Sequence, residues 1–277
     1  MPTDHDHSPL ELLHRGWDLF RAERLEAARE ALERAAASGD AEVAPLAAAS
    51  LGNVLEELNR REDAVAAYEQ AVDSGHPEAA PRAAFELGVL LERMHTTTPD
   101  WRRMAAAYRA AIDSGHPDWA AMAAVNRASL LTRVGWRHDA VDQYREAIAM
   151  GHPDQSPIAA GNLGLLLAEM GDVAEAEEAY RLAIESGHGD ESPKAAFNLG
   201  ALLEAEGRHD EARAAYQQAA DTGHPVVAPV AVIARGLLDE QVPDEPHAEP
   251  GHLRRLRGEV RALLPEPEDG KASMPPG

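Results

Sequence analysis

The residues best suited to chemistry in this chain return at fixed intervals. His76, His116, His152, His188 and His224 recur after 40, 36, 36 and 36 residues. Imidazole is a common zinc ligand, so a row of five raises metal binding first. That chemistry needs donors about 2 Å from one ion. Equivalent positions on successive helical units stand apart by ~8–10 Å per helix layer. The spacing therefore predicts no shared metal, and each histidine is read as a loop residue after a helix-ending glycine. His5-Asp6-His7 is a weak surface chelator with no third strong ligand in view. Asn126, Asn162 and Asn198 form a second row, each two residues before an alanine or glycine of constant phase. An amide offers both a donor and an acceptor. There is no phosphate-cradling glycine loop, no HExxH and no nucleophile elbow. Cysteine is absent, which removes thiol nucleophiles, thiolate metal sites and disulfides. The many acidic residues fall on solvent-facing helix positions. No catalytic residue, metal site or cofactor is assigned.

Rows of this kind require a repeating scaffold. All five tyrosines, Tyr68, Tyr108, Tyr144, Tyr180 and Tyr216, share one phase, with intervals of 40, 36, 36 and 36. Gly16, Gly52, Gly88, Gly164, Gly200 and Gly236 form a parallel series, with Ala128 in the gap. Pro9, Pro45, Pro81, Pro157, Pro193 and Pro229 form another, with Ala121 in the gap. The interval of 40 reflects a four-residue insertion near His95–Thr98, read as a tolerated insertion or a contact loop. A period in the thirties signals stacked supersecondary units that bury a core only together. Six units follow, at about 9–44, 45–80, 81–120, 121–156, 157–192 and 193–228, and a seventh breaks off after one helix.

Within one unit the pattern reads helix, turn, helix, turn. Ser156-Pro157 is read as N-cap and first-turn proline, as are Ser8-Pro9 and Ser192-Pro193. Ala160, Leu163, Gly164 and Leu167 make a helical stripe that ends near Met170-Gly171. Asp172 and Glu175 suggest a capping box for the second helix, which carries Ala176, Tyr180, Ala183 and Ile184. Gly187 suits a left-handed C-terminal position. The small residues predict close helix approach, with tyrosine filling space between one hairpin and the next. Thr98-Pro99 would cap the second helix of unit three.

Unit two shows Ala48, Leu51-Gly52 and Leu55, then Ala64, Tyr68 and Ala71. These residues resemble the tetratricopeptide repeat, and the resemblance covers about residues 9–240. The period of 36 exceeds the usual 34. The phrase GHPEAAPRAAFELGVLL is also similar to the Sel1-like repeat. The resemblance implies an all-α, right-handed superhelical solenoid of helix-turn-helix repeats. It also implies that first helices line a concave groove where extended peptides or partner helices bind. The groove residues would be Asn53, Phe85, Arg93, Asn126, Ser129, Arg133, Asn162, Lys194, Phe197 and Asn198. Resembling arrays of the kinesin light chain type use groove asparagines in this way. Equally, asparagine here could belong to the inherited repeat pattern alone. The expectation is a non-enzymatic interaction scaffold. The rivals are a sensor of a small signalling peptide and, more remotely, an enzyme with an unrecognised site.

Composition bounds the partners. The chain has 277 residues, is 44% apolar and carries a net charge of −22. Phosphate binding needs clustered Lys and Arg, so nucleic acid is not expected as partner, while a basic protein or peptide is permitted. No stretch approaches the ~18 apolar residues of a membrane span. The N-terminus lacks a signal-peptide pattern, and with cysteine absent the expected location is cytoplasmic. Residues 1–8 are expected to be mobile, 241–250 a proline-rich linker and 265–277 a disordered tail. Leu253, Leu256, Val260, Leu263 and Leu264 make 251–264 an amphipathic closing helix, one of about fourteen helices expected in all.

Overall fold

Thirteen α-helices and no strand occupy the described part of the chain. The structure is a computed structural model that describes residues 7–94 and 100–239. The expected N-terminal segment up to residue 6, the insertion at 95–99, the linker, the closing helix and the tail lie outside the described residues. Two compact units divide within α7, between Leu130 and Leu131.

The first unit holds three hairpins. They are α1 (Pro9–Arg21) with α2 (Leu25–Ala36), α3 (Val43–Glu57) with α4 (Arg61–Asp73), and α5 (Ala79–Arg93) with α6 (Trp101–Asp113), followed by most of α7 (Pro117–Arg133). The second unit holds α8 (Arg137–Ala149), α9 (Gln155–Met170) with α10 (Val173–Glu185), α11 (Glu191–Ala205) with α12 (His209–Asp221), and α13 (Val227–Asp239). Odd-numbered helices are called A helices and even-numbered ones B helices. From α1 to α6 and from α8 to α13 each helix packs on the next, and the A helices of successive hairpins also touch (α1 on α3, α3 on α5, α9 on α11, α11 on α13).

Glycine sets the closeness of each hairpin. A Cβ on Gly164 would lie 2.6 Å from Cδ1 of Tyr180, and one on Gly200 would lie 2.6 Å from Cδ1 of Tyr216. Each ring therefore rests on the glycine of its own hairpin. Leu32 takes the same place over Gly16. Around these contacts the core is alanine-rich, with Ala28, Ala64, Ala140, Ala176 and Ala212 buried at one B-helix phase.

The helix starts differ from expectation at two of the three serine-proline pairs. Ser8 does cap α1, with a full capping box to Glu11. Apart from α7, the later A helices begin one residue before their serine-proline or equivalent, so Ser156 and Ser192 lie inside the first turn. Their hydroxyls donate backwards, Ser156 Oγ to the carbonyls of Ala147 and Ile148, and Ser192 Oγ to that of Ile184. Asp172 occupies the N-cap of α10 but makes no side-chain capping bond. The described cap of α6 is Asp100, which accepts from the Arg103 N–H. Gly187 has φ +66°, as its left-handed role requires.

The loop histidines do the missing capping. His188 Nδ1 accepts from the N–H groups of Asp190 (3.3 Å) and Glu191 (3.2 Å). His76, His116, His152 and His224 repeat that geometry. Acceptance at Nδ1 places the ring proton on Nε2. That nitrogen faces an acid of the preceding loop, Glu42 for His76 at 3.4 Å and Asp190 for His224 at 3.2 Å. Among the described residues no group of three or more His, Cys, Asp or Glu could hold a metal ion.

Candidate functional site: the A-helix face

The asparagine phase on the A helices reads His14, Ser50, Glu86, Asn126, Asn162, Asn198 and Ala234. In the first unit this face is largely self-satisfied. Trp17 Nε1 donates to Ser50 Oγ at 2.9 Å, and Ser50 Oγ donates to the Leu46 carbonyl. The Tyr68 hydroxyl lies 2.5 Å from Asn53 Oδ1 and 2.7 Å from Glu56 Oε1, so its one proton serves them in turn. Burial, then the charge of Glu56, pushes the Tyr68 phenol upward, which keeps it a donor. Arg93 pairs with Glu56 across successive A helices. Asn53 and Arg93 thus share one network.

Glu86 is half-buried within the same unit. Burial raises its pKa, Arg82 opposes, Glu56 adds to the rise, and Arg93 opposes again. The sign follows from linkage. A raised native pKa gives a contribution present at low pH and lost as pH rises from the ordinary glutamate value of 4.5 through the raised one. Ionised Glu86 is then a liability at neutral pH. Glu86→Gln is expected to melt higher than the parent at pH 7 and level with it below pH 4.5. Thermal melts at several pH values check this, and superimposable profiles would refute it.

The asparagines behave differently from the rest of the row. Asn126 is 6% exposed and its Oδ1 has no hydrogen-bond partner among the described residues. Asn162 is 9% exposed, and there the amide nitrogen lacks a partner. Asn198 is half-buried. An unsatisfied buried polar group costs about 1–3 kcal/mol. Among the described residues, Asn126 thus holds a buried unpaired acceptor in the first unit, and Asn162 a buried unpaired donor in the second.

The other expected groove residues divide. Phe85 and Phe197 belong to the core and are not free as anchors. Phe85 packs against Tyr108 and Trp119, with ring centroids 6.2 Å and 5.5 Å away, and Phe197 lies 5.2 Å from Tyr216. Lys194 is half-buried and bonds Glu191 Oε1 at 2.8 Å. Ser129 is half-buried on α7, and Arg133 is exposed at its end. Sequence reasoning did not find a cleft on another face of the second unit. It measures about 240 Å³ and is lined by Ile148, Leu163, Leu167 and Leu182 between α8, α9 and α10. The Arg145–Glu175 pair joins two of its lining residues at 2.5 Å. The stripes that form it were visible, but the gap between them was not.

Stacked helical hairpins, four of them with a tyrosine seated on a glycine, define an α-helical repeat solenoid protein. Tetratricopeptide repeat models match residues 49–93 and 155–222. Those two segments are thus tetratricopeptide repeats. Among solved structures it is similar to a Sel1 repeat protein from Oxalobacter formigenes, at 20% identity and a TM-score of 0.53, covering 96% of this chain and 99% of that one. It is also similar to BtubC (BKLC) from P. vanneervenii, at 16% identity and a TM-score of 0.57, covering 86% and 96%. A third is YrrB, described as a TPR protein with an unusual peptide-binding site, at 19% identity and a TM-score of 0.52, covering 75% and 99%. These likenesses show the fold. A search of curated protein sequences finds no significant match. No described helix is long and apolar enough to cross a membrane.

Proposed function

We propose that the chain is a non-enzymatic interaction scaffold that binds an extended protein segment along its A-helix face. The observation that carries this reading is the amide nitrogen of Asn162, buried yet without a partner among the described residues. A buried donor of this kind suits a peptide carbonyl. Asn198 stands one repeat further along the same unit, and α9 and α11 are in contact. Asn126 and Ser129 give the first unit its own short stretch beside the Asn53–Tyr68–Glu56–Arg93 network. In the second unit Lys194 adds a cation, and Arg133 another. The binding of peptide groups by amides makes little demand on side-chain sequence. The net charge of −22 favours segments with basic residues and makes association salt-sensitive.

The test begins with random peptides selected on the full chain. Asn162→Ala with Asn198→Ala removes two amides, each worth about 0.5–1.5 kcal/mol. The double variant should keep its circular dichroism and lose about 1–3 kcal/mol of affinity for the selected peptides. Leu182→Ser, in the cleft on the other face, should leave affinity unchanged. Full affinity in the folded asparagine variant refutes the reading, and loss in Leu182→Ser moves the site to that cleft.

A further inference from the structure

What the A-helix face of the first unit lacks is a hydrogen-bond donor. Ser50 is satisfied twice, accepting from Trp17 and donating to the Leu46 carbonyl. One repeat on, Glu86 is half-buried and makes no hydrogen bond or ion pair among the described residues. At the same phase on α7, Asn126 keeps a buried Oδ1 that also lacks a donor among the described residues. The Phe85 and Trp119 rings, with centroids 5.5 Å apart, join α5 to α7. Two successive positions of the row thus carry acceptors with nothing to accept.

The cations nearby do not meet that need. Arg93 is committed to Glu56, which also receives the Tyr68 hydroxyl. Arg82 stands one turn before Glu86 on α5 and acts on its charge, yet forms no ion pair with it. Burial first, then the charge of Glu56, holds the Glu86 carboxyl above its ordinary range.

We propose that Glu86 receives an arginine or lysine side chain of the bound segment and so makes the first unit select cationic partners. This role rests on the A-helix face being the binding surface. A guanidinium or an ammonium carries several N–H donors and no acceptor, which is what the row is short of. A half-dry carboxylate interacts with an incoming charge more strongly than one in bulk water. The net charge of −22 supplies attraction at long range, and Glu86 fixes where the cation stops. The same role accounts for a carboxylate that costs stability at neutral pH while the face is empty. Perturbed ionisable groups of this kind gather at functional sites.

Random peptides selected on the full chain are the probe. Pools selected on the parent should be enriched in arginine or lysine at one position, and pools selected on Glu86→Gln should not. Parent-selected peptides should bind Glu86→Gln about tenfold more weakly, the usual worth of a hydrogen bond between charged groups. Changing that arginine or lysine of the peptide to glutamine should cost the parent about tenfold and cost Glu86→Gln nothing further. Glu62→Gln, on the exposed first turn of α4, alters net charge by the same unit and should bind like the parent. A folding defect does not imitate this result, because Glu86→Gln is expected to melt higher than the parent. Equal binding by Glu86→Gln and the parent overturns the proposal, and so does an equal loss in Glu62→Gln. Weak binding by Asn162→Ala with Asn198→Ala, beside full binding by Glu86→Gln, removes the role of Glu86 and leaves the binding face. The reverse pattern supports Glu86 and refutes the role of the two amides.

Discussion

Replacing Tyr180 with alanine is expected to destabilise the array by about 3–5 kcal/mol, the usual cost of truncating a buried aromatic ring. The ring is 1% exposed, so its loss leaves a cavity over α9 and not a surface notch. The partner substitution makes the test specific. Gly164→Ala places a methyl 2.6 Å from Tyr180 Cδ1, which the ring cannot accept without shifting. Overpacking of this kind costs about 1–3 kcal/mol. Without the ring the same methyl enters the cavity, so Gly164→Ala should be nearly neutral, or helpful, in the Tyr180→Ala background. Urea melts of the four proteins give the coupling directly. An equal cost of Gly164→Ala in both backgrounds would show that the ring does not rest there.

That pair shows why the fold was legible. Tyrosine follows glycine by 16 residues at 52/68, 164/180 and 200/216, and by 20 at 88/108, where the four-residue insertion lies between them and the ring still meets its glycine. Alanine at the facing B-helix phase says the same thing. Other features depend on what neighbours leave over, and spacing does not encode that. Phe85 and Phe197 sit at a groove-like phase, yet Trp119 and the underlying tyrosines enclose them. The burial of Asn126 and Asn162 depends on how close the neighbouring helices come. The caps were misread for a different reason. Serine before proline is a strong N-cap pattern, and at Ser8 it works as one. At Ser156 and Ser192 the chain is already helical, because a histidine four residues earlier has taken the free N–H groups. The signal was present one repeat from the start. Asp40 stands at the phase of His76, and Asp40 Oδ1 accepts from the N–H groups of Glu42 (3.0 Å) and Val43 (2.9 Å). An aspartate alternating with histidine at a helix entry points to an acceptor, not a metal ligand.

The same alternation gives the second large effect. Changing His76, His116, His152, His188 and His224 together to alanine is expected to cost about 5 kcal/mol, at about 1 kcal/mol for each lost cap. The loops are far enough apart that the costs should nearly add. A natural domain has only about 5–15 kcal/mol of stability, so this variant should melt far below the parent. The five-asparagine variant discriminates the cause. Asparagine, like Asp40, presents a side-chain oxygen to the same two N–H groups. It gives up only the Nε2 contact to the preceding loop, as between His224 and Asp190, and contacts of that exposed kind are worth about 0–1 kcal/mol. It should therefore keep most of the parent's stability, and a chelator should change neither protein. Denaturant midpoints of the three chains decide the matter. If asparagine fails as badly as alanine, the imidazoles do something other than accept backbone hydrogen bonds.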